Sequence, residues 1–211
     1  MLDINQLVRY NLEREKRLEA DGIYFLRDIT DDSAERMSQA LVSMSVDREG
    51  ATDKPITIYI NSGGGSVGAG LAMMEMIYRM RAMYKVTINT VVTGYAYSMG
   101  AIVFQAGDTR QMGSFSTIML HSPQWFLSGS DQTIFNDYAT LARHYKNLVS
   151  NIFFQRSGKR TADWWEKFIY SGRDRFLTAE ECLELGLADE IYGLQLTTPP
   201  PPTPGAGLLP A

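Results

Sequence analysis

Apolar positions along the chain alternate between two kinds of pattern, which predict strands and helices in turn. Short apolar runs rich in β-branched and aromatic residues predict strands over Ile23–Leu26, Ile56–Ile60, Val86–Val92 and Ile118–Leu120. Apolar residues at helical spacing predict helices over about 4–20, 32–46, 66–83, from Ser98 onward, 130–157 and 178–185. Strands separated by helices favour parallel pairing through crossover helices, so the sequence predicts an α/β fold.

Two helix starts carry capping signals. Asp32, followed three residues later by Glu35, predicts the beginning of the second helix. Thr178 and Glu181 form the same pattern before the last helix, and Gly186 predicts its end.

The last fifteen residues differ in composition from the rest. Four consecutive prolines, Pro199–Pro202, are followed by glycine, alanine and leucine, a mixture that cannot build a core. We therefore predict one domain over residues 1–196 and a disordered, Pro-rich tail over residues 197–211.

Charge and cysteine content narrow the class of protein. The chain has 211 residues and a net charge of −4, which gives no electrostatic footprint for nucleic acid. Its one cysteine, Cys182, lies in an apolar stretch and is expected to be a small core residue. No apolar run reaches membrane-spanning length, and no signal peptide is recognisable at Met1. We expect a cytoplasmic protein without membrane contact.

The segment Gly94–Ala101 places a serine where a strand ends and a helix begins. Ala96 and Gly100, two residues on either side of Ser98, are small enough for a sharp turn that exposes the hydroxyl. The N–H groups at the helix start could stabilise an oxyanion. The alternative is that Ser98 is an ordinary N-cap residue.

The glycine run in Asn61–Gly65 lies between a strand and a helix. Such a loop could bind phosphate, supply an N–H donor to an oxyanion, or form a tight turn. No Lys-Ser/Thr pair follows the glycines, so the loop is not a P-loop.

The chain contains only two histidines. His121 follows an apolar strand, where a base opposite a strand-end serine would lie, whereas His144 lies in the middle of a helix. Asp174 precedes the last helix and is a candidate third member, with an ion pair to a neighbouring arginine as the alternative. Two isolated histidines and one cysteine offer no metal-ligand spacing, so we predict neither a metal nor a cofactor.

Four segments together resemble the Clp protease proteolytic subunit (ClpP) family. They are Ile60–Ser62, Gly94–Ala101, His121 after Met119 and Leu120, and Asp174–Leu177 followed by Ala179 and Glu180. The resemblance covers roughly residues 23 to 192, and four blocks in order are much more specific than any one of them.

The resemblance implies a crotonase-like ββα superhelix with a protruding long handle helix, and a serine endopeptidase site. The handle region would cover about residues 122–170, and the helix 130–157. Ser98 would attack the scissile carbonyl, His121 would take its proton and Asp174 would orient His121. Further roles follow by position: oxyanion donors at Gly65 and Met99, and a substrate groove at Trp125, Phe126 and Leu127.

The resemblance also implies partners. Members of the family assemble as a tetradecamer of two stacked seven-membered rings, and they degrade unfolded polypeptides that an AAA+ unfoldase supplies. This chain has no nucleotide-binding motif of its own.

Several positions depart from the family pattern. Gly63 stands where the family usually has proline, and Tyr97 stands where it has a small residue beside the nucleophile. Gly172 stands where the family has an acidic residue. The predicted groove strand carries Trp125 and Phe126, whereas glycine is common there in the family. The segment before the first strand is also short. These departures keep a catalytically weak ring subunit of a mixed complex open as an alternative. A crotonase-fold enzyme acting on acyl-CoA thioesters and a Ser/Lys peptidase are further alternatives.

Overall fold

The computed structural model describes residues 4–51, 53–122 and 132–194. Seven helices lie in this part of the chain: α1 Ile4–Ala20, α2 Asp31–Val46, α3 Val67–Tyr84, α4 Met99–Phe104, α5 Gln132–Ser157, α6 Ala162–Ile169 and α7 Ala179–Leu185. Seven strands accompany them: β1 Ile23–Leu26, β2 Ile56–Ser62, β3 Ile88–Tyr97, β4 Arg110–Gly113, β5 Thr117–Leu120, β6 Arg175–Thr178 and β7 Glu190–Tyr192.

The strands form one sheet in the order β1-β2-β3-β4-β7, and β5 and β6 branch from it at β3. All pairs are parallel except the antiparallel pair of β5 and β6. Parallel pairing with helices between the strands confirms the predicted α/β fold.

The buried core is one cluster to which the sheet and the helices α2 to α7 all contribute. Every second residue of β2 is buried, as expected where a strand turns one face to the core. Met37, Leu41 and Met44, at helical spacing on α2, are completely buried, and Met73 of α3 joins them.

The predicted beginning of α2 at Asp32 is one residue too late, because the helix begins at Asp31. Thr30, in an extended conformation, is the N-cap, and its side chain accepts a hydrogen bond from the Ser33 N–H at 3.1 Å. The Ser33 hydroxyl accepts one from the Thr30 N–H at 2.9 Å, so a serine replaces glutamate as the second member of the capping box. The box of Thr178 and Glu181 and the end at Gly186 are confirmed.

Strand β3 begins two residues later and extends five residues further than predicted. It does not stop at Val92, because Gly94, at φ 104°, lets the chain turn and pair with a second neighbour. Thr90–Val92 pair with β4, whereas Tyr95–Tyr97 pair with β5. The extension brings the end of β3 to Ser98.

The sequence analysis predicted neither the strands β4, β6 and β7 nor the helix α6. Each of the three strands contains a charged residue, which a burial pattern does not predict. Arg110 of β4 is nevertheless buried, because Asp189 before β7 accepts hydrogen bonds from its guanidinium at 2.6 and 3.0 Å. A paired charge is what makes such burial tolerable.

Some predictions fall outside the described residues. These include the groove residues Trp125, Phe126 and Leu127, the residues 197–211 of the predicted tail, and the first two residues of the helix predicted over 130–157. The remainder of that helix is α5, 26 residues long. Within the described ranges, no helix is long and apolar enough to cross a bilayer.

Candidate active site

Ser98 stands at a strained turn between β3 and α4. Its φ of 53° and ψ of −122° lie in a region that residues other than glycine rarely adopt. The turn is held from both sides: the Ser98 N–H donates to the Met119 carbonyl at 2.8 Å, and every residue of α4 is buried. The Ser98 side chain accepts no N-cap hydrogen bond from the first turn of α4. A strained strand-to-helix turn of this kind is typical of an exposed nucleophile.

His121 lies beside Ser98 because β5 pairs with the end of β3. The register places Tyr97 opposite Met119, so the residues that follow each strand meet at one sheet edge. His121 Nε2 is 2.8 Å from Ser98 Oγ, a hydrogen-bond distance. This contact is the arrangement that a base requires to remove the serine proton.

Asp174 approaches the other nitrogen of His121 less closely. It precedes β6, and antiparallel pairing of Leu120 with Arg175 brings it to the same edge. Asp174 Oδ1 lies 3.8 Å from His121 Nδ1, which is ion-pair distance but longer than a hydrogen bond. The Asp174 side chain is 57% exposed, against 20% for His121. Asp174, the predicted third member, therefore lies next to His121 without a direct hydrogen bond.

The glycine loop packs directly against the Ser98 turn. A Cβ atom on Gly64 would lie 2.8 Å from Ser98 Cβ and 2.8 Å from the Tyr97 carbonyl oxygen, closer than side chains approach. Gly65, at φ 148°, leaves no room either, since its Cβ would lie 2.1 Å from the Ile29 carbonyl oxygen. The loop needs glycine at both positions so that its backbone can reach the serine.

The predicted oxyanion donors are the backbone N–H groups of Gly65 and Met99. The β-bridge between Ile29 and Gly65 uses the Gly64 carbonyl and the Ser66 N–H, so the Gly65 N–H takes no part in that bridge. Met99 is the first residue of α4, and the N–H groups of a first helical turn have no partner within the helix. Both residues border the same cavity as Ser98 and His121.

This cavity has a volume of about 210 Å³ and opens beside the serine hydroxyl. Its wall is mostly apolar and comes from α3, α4, β5, α5 and α6: Val67, Ile102, Leu120, Val149, Phe153 and Ile169. Tyr145 and Tyr170 complete the lining. Such a space accepts an apolar or largely apolar side chain.

The sequence analysis did not identify the cavity residues on α5 and α6. Val149, Phe153 and Ile169 have the spacing of ordinary helix core residues, and only the tertiary structure shows that they face a cavity. Tyr170 has a chemical signature: burial, with a smaller contribution from the Glu166 carboxylate, raises its pKa to about 12. No sequence pattern marks such a residue in advance.

Other candidate groups lie apart from the site. His144 lies on α5 with its ring 5.8 Å from that of Tyr145, and it does not line the cavity. Cys182 is buried in the core, and burial raises the pKa of its thiol to about 12, as expected for an inert core residue. Across the described ranges, no three His, Cys, Asp or Glu side chains cluster as metal ligands do.

Comparison with known proteins identifies relatives of this chain. A sequence model described as Clp protease matches residues 9–195. The chain is also 33% identical over 195 residues to the ATP-dependent Clp protease proteolytic subunit of Bacteroides thetaiotaomicron, an alignment that covers 90% of this chain and 83% of that protein. The α/β sheet with seven helices is consistent with the fold of that family.

Proposed function

The chain belongs to the Clp protease family, and on that premise we propose that it is a serine endopeptidase with Ser98 as nucleophile, His121 as base and Asp174 as the residue that orients the base. It is a peptidase of the family's proteolytic-subunit type. The contact of 2.8 Å between His121 Nε2 and Ser98 Oγ, at a strained turn, is the observation that carries the proposal.

The reaction begins when Ser98 Oγ attacks a peptide carbonyl carbon while His121 Nε2 accepts the serine proton. His121 then returns that proton to the leaving amine, and water later releases the acyl group from Ser98 by the same exchange. For His121 to accept at Nε2, it must carry its hydrogen on Nδ1, and the Asp174 carboxylate favours that tautomer. Substrate binding can shorten the distance of 3.8 Å, since catalytic contacts often tighten only in the substrate complex.

The carbonyl oxygen becomes negative during the attack. The N–H groups of Gly65 and Met99 are the proposed donors to this oxyanion, because they border the cavity beside Ser98 and lie on parts of the backbone that close packing fixes. Removing one such donor typically costs about 10²–10³ in kcat.

The cavity beside Ser98 is the proposed site for the substrate side chain on the acyl side of the scissile bond, the P1 side chain. Its apolar wall favours uncharged P1 residues. The predicted groove at Trp125, Phe126 and Leu127 remains a prediction for the residues further along the substrate. Polypeptides are the proposed substrates, and neither a metal nor a cofactor is required.

The proposed assembly and partners come from the family. We expect two stacked heptameric rings, with α5 as the helix that joins them, and an AAA+ unfoldase that supplies unfolded chains in the cytoplasm. The related Bacteroides protein is named as ATP-dependent. Hydrolysis of short peptides needs no ATP, because the proposed chemistry uses no nucleotide.

Hydrolysis of fluorogenic peptides by the purified chain tests the proposal, with Ser98→Ala as the variant. We expect peptide cleavage without ATP, a loss of roughly 10⁴–10⁶-fold in Ser98→Ala, and an unchanged assembly size for both proteins in native mass spectrometry. Cleavage that survives in Ser98→Ala would refute the assignment of the nucleophile. Inactivity of the wild-type assembly would instead favour a catalytically weak subunit of a mixed ring.

A further inference from the structure

We propose that Tyr97 is a positioning residue for the reaction, because its ring packs against Phe176 and so holds the beginning of β6, next to Asp174, against the end of β3. The inference rests on the proposed function, since it concerns the residue that orients His121. Tyr97 is one of the positions at which this chain departs from the family pattern, and the proposed chemistry gives it no role.

Three neighbouring strands have one face in the core and one face outside it at this edge of the sheet. The inner face consists of buried residues: Ala96 of β3, Ile118 and Leu120 of β5, and Leu177 of β6. Side chains alternate between the two faces of a strand, so Tyr97, Met119 and Phe176 lie on the outer face. Met119 pairs with Tyr97 on one side and with Phe176 on the other, so these three residues form one row across the sheet.

The next row of the same face contains His121 and Asp174. His121 follows Met119 by two residues, and Asp174 precedes Phe176 by two residues on the antiparallel strand. Two residues is the period of a strand, so both side chains lie on the face that carries Tyr97. The distance of 3.8 Å between His121 Nδ1 and Asp174 Oδ1 agrees with this placement. The row of Tyr97 therefore borders the contact between His121 and Asp174.

The rings of Tyr97 and Phe176 contact each other along their row. Their centroids are 5.6 Å apart and their planes meet at 86°, the edge-to-face arrangement that aromatic pairs favour. Phe176 is 59% exposed, so little of it packs on the core. Leu177 thus anchors β6 in the core on one face, and Tyr97 supplies the contact with Phe176 on the other.

The Tyr97 ring is itself held at two places. Its hydroxyl oxygen lies 3.0 Å from Thr117 Oγ1, a hydrogen-bond distance that ties the ring to β5. Its centroid lies 4.8 Å from that of the Tyr95 ring. A ring fixed at its tip and packed along its side resists displacement, so it can hold Phe176 in place.

The Asp174 side chain depends on this support. It is 57% exposed and lies too far from His121 for a direct hydrogen bond. The position of its carboxylate therefore follows the backbone at the beginning of β6, which the contact between Tyr97 and Phe176 holds. A misplacement of about 1 Å can cost about 10²-fold in rate, so even a small shift of this backbone should be measurable.

Peptide hydrolysis by Tyr97→Ala and by Phe176→Ala tests the proposal. We expect kcat to fall about tenfold in each variant, near the upper limit for one aromatic pair, with KM unchanged because neither side chain lines the cavity. The double variant should fall no further, since both changes remove the same contact. Tyr97→Phe keeps the ring and should retain kcat within about threefold.

Phe115→Ala is the matched control. It removes a phenyl ring that is 67% exposed and precedes β5, at the end of that strand away from His121. Its kcat should stay within about twofold of the wild-type value. A tenfold loss in this variant would show that the activity responds to any exposed ring of this surface, and would overturn the role assigned to Tyr97.

A second cycle separates positioning of Asp174 from a disturbance of the adjacent Ser98 turn. The variant Asp174→Asn has no carboxylate to position, so adding Tyr97→Ala to it should lower kcat less than about twofold. A further tenfold loss in that background would locate the effect at Ser98 and overturn the inference. Equal kcat values for Tyr97→Ala and the wild type would overturn it as well.

Hydrogen exchange at residues 174–178 separates this inference from the proposed function, because it requires no turnover. We expect the amides of this segment to exchange roughly threefold faster in Tyr97→Ala than in the wild type or in Tyr97→Phe. If the wild-type assembly cleaves no peptide, the proposed function fails, and the exchange rates still decide whether Tyr97 holds the segment that contains Asp174. One exchange rate in all three proteins overturns the inference.

Discussion

The two sides of His121 are built differently. On one side, Ser98 lies 2.8 Å from Nε2, at a strained turn whose helix α4 is completely buried. On the other side, Asp174 lies 3.8 Å from Nδ1 on a side chain that is 57% exposed. The comparison teaches that packing fixes Ser98, the proposed nucleophile, before substrate arrives, whereas the position of the Asp174 carboxylate depends on the segment between α6 and β6.

The largest effect is expected from Asp174→Asn, which tests whether Asp174 orients His121. The amide keeps the shape of the carboxylate but does not favour the His121 tautomer that accepts a proton at Nε2. We expect kcat for peptide hydrolysis to fall roughly 10⁴-fold, with an unchanged melting temperature because the side chain is exposed. Equal rates for the variant and the wild type would remove Asp174 from the mechanism and leave His121 without its proposed orienting group.

The next largest effect is expected from Gly65→Ala, which tests the glycine loop beside Ser98. The added Cβ would lie 2.1 Å from the Ile29 carbonyl oxygen, so the loop must shift and move the proposed oxyanion donor. We expect a loss of about 10²–10³ in kcat, as for removal of one donor. Gly63→Ala is the matched control in the same loop, since a Cβ there meets nothing within 4 Å.

The control variant should retain kcat within about twofold, because an added methyl group in open space changes little. If Gly63→Ala and Gly65→Ala are equally slow, the loss reflects a general sensitivity of the loop and not the donor at Gly65.

A smaller effect is expected from Arg175→Lys, next to Asp174. The Arg175 guanidinium lies 5.1 Å from the centre of the Phe168 ring, and its Nε donates to the Phe168 carbonyl at 3.3 Å. Lysine keeps the charge but loses the stacked, directional contact. We expect kcat to fall about threefold, as loss of an exposed cation–π contact implies, because Asp174 becomes less well placed.

Arg160→Lys provides the comparison for that variant. Arg160 lies 5.2 Å from the Trp164 ring, at the far end of the same row of stacked side chains. It should lose a similar contact without changing kcat. Equal losses in both variants would show that the row acts on stability as a whole and not on Asp174.

The smallest effect on activity is expected from Asp189→Asn, which weakens the ion pair with Arg110 next to the end of α4. Arg110 joins Asp189 to Gln105, the C-cap of α4, through a hydrogen bond of 2.7 Å to the Gln105 side chain. We expect the free energy of unfolding to fall by about 2 kcal/mol at pH 7, less than for a fully buried pair because Asp189 is partly exposed. The kcat value should change less than about twofold at temperatures where the variant is folded.

The stability lost in Asp189→Asn should depend on pH. Burial raises the pKa of Asp189, but the hydrogen bonds from Arg110 outweigh this effect and hold the pKa below its usual value. The pair therefore stabilises the fold above the unfolded-state pKa of about 3.9 and loses this effect as the pH falls through the lower folded-state value. Chemical denaturation at pH 7 and at pH 3 should show a smaller difference between variant and wild type at pH 3.

The sequence predicted four of the seven strands and the turn at Ser98 for physical reasons. Short runs rich in β-branched residues, such as Ile56–Ile60, favour buried strands, and small residues around Ser98 allow a sharp turn. The same reasoning could not find β4, because the burial of Arg110 depends on Asp189, 79 residues away. It also placed the start of α2 at Asp32, because a serine in the capping box leaves a weaker pattern than glutamate.

The residues of the cavity could not be predicted from the sequence for the same reason. Phe153 and Tyr170 come from different helices, and only the packing of α5 against α6 brings them to one cavity beside Ser98. The distance between Asp174 and His121 was equally beyond a sequence argument, since it depends on the pairing of β6 with β5. Local pattern thus predicts the elements with a clear apolar period, and long-range pairing determines the remaining elements and how closely the ends of the strands approach.

The most direct test of the proposed nucleophile is labelling of the assembled protein with a fluorophosphonate probe, followed by mass mapping of the adduct. A serine activated by His121 should react, so we expect one adduct, on Ser98, that is absent in Ser98→Ala. An adduct on a different serine that persists in Ser98→Ala, or no adduct on a folded assembly that cleaves peptides, would contradict the proposal that Ser98 and His121 carry the chemistry.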